Sequence, residues 1–264
     1  MPYTLIRASK EEMKMKLHAS RTAFFAAALV LAGSGYLLSQ PSPKAVVNHF
    51  VSDPKQNTVL YITDFEGSAP EVTVYFYSNE GDIIGSKTVN VPRNSTLPLR
   101  PHEVVKREEN GNVRIISNGG PIVAEYWQVI SDDEYNYSVA VPSQPAQGHK
   151  NLIVQHFVSD PDLVSVIYLT NPGESSASVT LEFNDTNGNL VGNKTGTIAP
   201  NATLKVQPHE VLQKKTYGNV HIKSTVPVTG EYWQQQNQEV KDATGKSKDM
   251  RYTVAIPIQS IESF

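Results

Sequence analysis

From Val46 onward the chain alternates apolar and polar positions with a period of two, in runs too short for helices. Glu71-Val72-Thr73-Val74-Tyr75-Phe76-Tyr77 is β-branched and aromatic, and Ser178-Val179-Thr180-Leu181-Glu182-Phe183 has the same character, so both are predicted strands. Asn79-Glu80-Gly81-Asp82 and Thr186-Asn187-Gly188-Asn189 supply residues that accept positive φ. They join those strands to residues 83–91 and 190–198 as hairpins. Further strands are expected over residues 46–51, 58–63, 96–99, 112–117, 122–130 and 135–141. About eight short strands spaced by turns, with no helical segment between them, predict an antiparallel β-sandwich.

The pattern then recurs. His49-Phe50-Val51-Ser52-Asp53-Pro54 returns as His156-Phe157-Val158-Ser159-Asp160-Pro161, and Pro101-His102-Glu103-Val104 as Pro208-His209-Glu210-Val211. About 30 of the 72 aligned pairs between Val46 and Ser117 are identical without a gap. Glu125-Tyr126-Trp127-Gln128 returns as Glu231-Tyr232-Trp233-Gln234, one residue early, because Asn118-Gly119-Gly120 is matched by Thr225-Val226. A period near 107 residues exceeds the roughly 20–50 of solenoid units and suits a whole sandwich. The expected architecture is all-β: two tandem antiparallel β-sandwiches, Ig-like or jelly-roll-like, over residues 46–142 and 151–264, joined by a linker at 143–150. A longer hairpin is expected at residues 235–250, where the second copy is polar and extended.

Residues 1–45 are of another kind. Lys14, Lys16, His18 and Arg21 precede an apolar run from Thr22 to Leu38, followed by Ser39-Gln40-Pro41-Ser42-Pro43. That is the layout of a secretory signal, or of a membrane anchor using residues 22–38 as a tether. Positive charge before the run places the repeats outside the cytoplasm, at the cell surface, in the periplasm or in the medium. A purine-rich coding of Lys10-Glu11-Glu12 would fit a ribosome-binding site, so translation is expected to begin at Met13 or Met15.

Composition removes several classes of function. A net charge of −3 offers no footprint for nucleic acid. The absence of cysteine excludes disulfides, thiolate chemistry and Cys-based metal sites. No Gly-x-Ser-x-Gly elbow, phosphate loop or His-Glu-x-x-His is present.

What remains is the set of residues kept in both copies: His49, Asp53, His102, Glu103, Glu125 and Trp127, with His156, Asp160, His209, Glu210, Glu231 and Trp233. Imidazole and carboxylate are competent metal ligands, but no pair has the close i, i+2 or i, i+4 spacing that converges two ligands on one ion. The structural reading is preferred. Asp53 and Asp160 would cap their turns, the histidines would be satisfied hydrogen-bonding partners, and Trp127 and Trp233 would anchor the two cores. Strand alternation puts Glu and Trp on one face and Tyr on the other. Neither cofactor nor catalytic residue is expected.

Leu60-Tyr61-Ile62-Thr63, Val72-Thr73-Val74-Tyr75-Phe76, Val89-Asn90-Val91-Pro92 and the run from Ile116 through Pro121-Ile122-Val123 to Tyr126 resemble a group of bacterial extracellular β-sandwich repeats. The second copy ends the same way, at Ser224-Thr225-Val226-Pro227-Val228-Thr229-Gly230-Glu231-Tyr232. The sensory rhodopsin transducer family is similar in this pattern, although His-Phe-Val-Ser-Asp-Pro and Pro-His-Glu-Val lie outside it. The resemblance implies a sandwich used for binding or assembly, with no catalytic residues to transfer. The expected function is therefore a non-catalytic module for binding, adhesion or surface assembly, with a cell-surface protein, a glycan or the chain itself as partner. The alternative is an exported metal-dependent hydrolase using the His and Glu residues.

Overall fold

The computed structural model describes residues 41–261 apart from 54–55, 69, 107, 132–135 and 242–246. The signal or anchor segment, the tether at 22–38 and the proposed start sites fall outside the described residues. Among the described residues no helix is long and apolar enough to cross a membrane.

The fold is all-β and antiparallel. In the first repeat the strands are β1 (Lys44–Ser52), β2 (Gln56–Thr63), β3 (Glu71–Ser78), β4 (Ile83–Asn90), β5 (Thr96–Leu99), β6 (Glu109–Ser117), β7 (Val123–Ser131), β8 (Asn136–Pro142) and β9 (Gln144–Pro145). They form a five-stranded sheet in the order β4-β3-β6-β1-β9 and a four-stranded sheet in the order β5-β2-β7-β8. In the second repeat the strands are β10 (His149–Ser159), β11 (Leu163–Thr170), β12 (Ala177–Asp185), β13 (Leu190–Ile198), β14 (Thr203–Val206), β15 (Thr216–Lys241), β16 (Ser247–Pro257) and β17 (Gln259–Ser260). Here β15 does the work of both β6 and β7. Its first half pairs with β10 and β12, and its second half with β11 and β16. Residues 143–150, read from sequence as a linker, carry β9 and the first two residues of β10.

Equivalent strands keep equivalent irregularities. The β1–β6 ladder slips between Val47 and Phe50, and the β10–β15 ladder slips between Val154 and Phe157. Such bulges turn a strand and re-aim the side chains at the slip. At these slips lie Asn48 with His49, and Gln155 with His156. Asn94 and Asn201 both adopt left-handed φ, of 54° and 60°.

Inward residues of each sheet pair make the core: Phe50, Val74, Phe76, Ile115 and Tyr126 in the first repeat, Phe157, Leu181, Phe183, Ile222 and Tyr232 in the second. The tyrosine hydroxyls accept the backbone N–H of Val51 (3.1 Å) and Val158 (3.2 Å), which satisfies the polar tip of a buried ring.

Two sequence expectations are corrected here. The sequence offered no helix, yet Pro101–Glu103 is a 3-10 turn and Pro208–Leu212 a short helix, α1. Proline at the first helical position starts both. Leu212 lets the second run on, where β-branched Val105 stands in the first repeat. The tryptophans, expected as the core anchors of the two sandwiches, lie on the opposite face from the core tyrosines. Trp127 is half-buried on the outside of its sheet, and Trp233 is buried against the other repeat.

Candidate functional site

Strand alternation on β11, β15 and β16 places Val166, Tyr168, Glu231, Trp233 and Ala255 on the outer face of one sheet of the second repeat. The register pairs Val166 with Trp233, Tyr168 with Glu231, and Trp233 with Ala255. Val166, Tyr168 and Trp233 belong to the same apolar cluster as Val139 and Val141 of β8 in the first repeat. The outer face of one repeat is thus seated in the flank of the other, between β1 and β8.

The β1 bulge supplies His49 and Asn48, and β9 and β6 supply the remaining specific contacts. His49 stacks on Tyr168 with ring centroids 4.2 Å apart and an 11° interplanar angle, and meets the edge of Trp233 at 5.5 Å. Thr229 donates its hydroxyl to Asn48 Oδ1 at 2.6 Å. Gln144 clasps Gly230, accepting its N–H at 3.3 Å and donating to its carbonyl. Beyond these, Asn112 Nδ2 donates to the carbonyl of Asn201 (2.7 Å) and to Thr203 Oγ1 (3.0 Å), and Arg114 donates to Asn201 Oδ1.

Burial in this junction sets the charge states. Desolvation raises the Glu231 carboxyl to about 8, opposed by hydrogen bonds from Trp233 Nε1, at 2.6 Å, and from Asn48. Burial, with the positive charge of Lys205 adding to it, lowers His49 to about 3. His49 Nδ1 is buried without a hydrogen-bond partner among the described residues, and so is His209 Nδ1. At these two nitrogens the expectation that the histidines are satisfied hydrogen-bonding partners is corrected.

The other predicted residues are scattered. Glu125 is exposed and accepts Trp127 Nε1 at 2.9 Å, and Trp127 meets the ring of Tyr61 edge-on at 6.3 Å. His102 is exposed on the 3-10 turn, where Glu103 pairs with Lys87 (3.7 Å) and Arg100 (3.6 Å). His209 is half-buried on α1, and Glu210 accepts from Gln207 at 2.8 Å. Asp160 accepts the N–H of Asp162 at 3.0 Å and pairs with Lys215 at 3.1 Å, and these contacts hold its carboxyl below the usual range. Asp53 is half-buried, and His156 is exposed. Among the described residues, no three His, Asp or Glu side chains gather where they could hold a metal ion.

The second repeat has the same flank, but none of the described residues fills it. Its lining includes Gln155 and His156 of β10, Tyr232 and Gln234 of β15, and Val254 and Ile256 of β16, around a groove of about 330 Å³. Val254 and Ile256 are 51% and 41% exposed, whereas their counterparts Val139 and Val141 are 7% and 1% exposed. Sequence reasoning missed Asn48, Tyr168, Thr229 and Gln144 at the junction, and Gln155, Val254 and Ile256 in the groove. Repetition could have singled out Tyr168, which matches Tyr61, but period-two alternation does not say which face meets a partner.

No protein-family profile matches the chain, and no curated protein matches it. Among solved structures it is similar to Thermotoga maritima 1070, at 13% identity and a TM-score of 0.35, over 44% of this chain and 97% of that one. It is also similar to a glycosyl hydrolase family 2 member from Bacteroides cellulosilyticus, at 11% identity and a TM-score of 0.18, over 81% of this chain and 28% of that one. A Streptomyces avermitilis alpha-L-rhamnosidase, solved with L-rhamnose, is similar at 10% identity and a TM-score of 0.21, over 83% of this chain and 27% of that one.

Proposed function

We propose that this is a non-catalytic binding and assembly protein, exported and displayed at the cell surface as a tandem of two β-sandwiches. The observation that carries this reading is the apolar groove on the flank of the second repeat, with Val254 and Ile256 uncovered beside His156. Large exposed apolar side chains gathered around a concavity mark an interaction site. The residues kept in both copies support the same role, because Glu231, Trp233 and His49 are spent on packing one repeat against the other.

The test sets the purified full chain against an immobilised glycan array and against the immobilised chain itself. Binding to either that is lost on Ile256→Asp, with the melting temperature retained, is the expected result. Stoichiometric zinc together with hydrolysis of an ester or glycoside, lost on substituting His49 and His102 by glutamine, would establish the hydrolase instead.

A further inference from the structure

The two surfaces that meet inside the chain each have a second copy that no described residue covers. The flank of the first repeat, with Asn48, His49 and Val141, receives Tyr168, Glu231 and Trp233. The uncovered flank carries the equivalents Gln155, His156 and Ile256, and the uncovered outer face carries Tyr61, Glu125 and Trp127. At matched positions burial is lost on the uncovered side. Glu231 is buried and Glu125 exposed, Asn48 is buried and Gln155 exposed, and Thr203 is buried and Thr96 exposed. The Trp–Glu clasp is nonetheless already closed on the free face, since Trp127 Nε1 donates to Glu125 as Trp233 Nε1 donates to Glu231.

We infer that a second copy of this chain docks head-to-tail, seating its Tyr61–Glu125–Trp127 face in the Gln155–His156–Ile256 groove. His156 would stack on Tyr61 as His49 stacks on Tyr168. This identifies the partner of the groove and rests on the binding and assembly reading above. The two surfaces differ from one another, so the contact is heterologous, and each added copy presents a fresh groove and a fresh face. Growth is open-ended unless the rotation closes a ring. The junction between chains is weaker than the one within the chain. Val123 stands where Thr229 donates to Asn48, so that hydrogen bond has no counterpart, and no peptide connection raises the effective concentration.

The absence of native cysteine makes the geometry directly testable. In the full chain, Tyr61→Cys combined with His156→Cys should give, on oxidation, a ladder of dimers, trimers and longer species. Mixing the two single variants should give dimers containing one chain of each kind. His49→Cys with Tyr168→Cys, closing within one chain, reports that the fold and the stacked geometry are intact. Light scattering of the unsubstituted chain should show mass rising with concentration. Ile256→Asp should weaken association by about tenfold or more, since roughly 1.4 kcal/mol of lost contact is a factor of ten. The inference is overturned if the intrachain control closes while the paired variant stays monomeric, or if each single variant dimerises with itself as readily. It is equally overturned if a photoreactive residue at position 254 crosslinks to residues 1–40 of the chain. A monomer that still binds the glycan array through the groove sinks head-to-tail docking and leaves the binding role standing. A monomer that binds nothing sinks both.

Discussion

Trp127 and Trp233 carry the same clasp with a glutamate in different surroundings, so their substitutions separate clasp from burial. Trp233 is 4% exposed and closes the junction between repeats. Trp233→Ala is expected to cost about 3–5 kcal/mol in denaturant unfolding, the range for a large buried aromatic. Trp127→Ala should cost about 1 kcal/mol or less in dilute solution, because a half-exposed ring loses little on truncation. Equal costs would mean that the junction does not hold Trp233. The buried acid and the half-buried base of the junction give opposite pH slopes. His49, depressed from 6.5 to about 3, contributes stability that is present above pH 6.5 and is lost as pH falls toward 3. Glu231, raised from 4.5 to about 8, contributes stability that is present below pH 4.5 and is lost as pH rises toward 8. Their summed contribution should climb from about pH 3 to 4.5, stay level to 6.5 and fall toward 8. The difference between wild type and Glu231→Gln, measured by denaturant titration at each pH, should fall from about pH 4.5 to 8 and show no rising limb. A flat difference above pH 6.5 would mean that Glu231 is ionised in the folded chain.

At the scale of the strand, β6 and β15 each approach a neighbouring strand so closely at one position that only glycine fits. A Cβ on Gly111 would fall on the carbonyl oxygen of Tyr77, and one on Gly218 on the carbonyl oxygen of Asn184. Gly111→Ala and Gly218→Ala should therefore each destabilise by about 2 kcal/mol or more, since backbone on the far side cannot yield as a flexible side chain can. Melting of the two variants would check this, and a change of a few tenths would show that the ladder re-registers freely. The strands themselves were legible, because alternation and turn residues are local signals. The parity of Glu125, Tyr126 and Trp127 was legible too, and the choice of inner face was not. Size favoured tryptophan as the core residue, yet Tyr126 is the ring inside, where its hydroxyl accepts the N–H of Val51. Helix α1 was illegible for a related reason: five residues are too few for a periodicity, and the proline that starts it reads equally as a turn.

At the scale of the molecule, duplication was plain in the sequence, but what the duplicates do to each other was not. Asn48 and Gln155, or Val141 and Ile256, are near-identical choices at equivalent positions, and only the three-dimensional arrangement decides which of each pair is covered. The junction couples two separate cores, and such coupling is measurable. Thr229 is 2% exposed, points away from its own core and donates to Asn48 across the junction. Thr229→Arg drives a charged side chain into that contact while leaving the inward residues of both sandwiches untouched. Wild-type chain should melt in one calorimetric transition, with the two cores cooperating through the junction. The variant should melt in two, each with a van't Hoff enthalpy near its own share of the calorimetric total, as expected when a two-state description no longer covers the whole chain. If the variant kept a single transition at wild-type temperature, the junction would contribute nothing to folding. The paired burial of Val139 with Val141 would then have to arise within the first repeat alone.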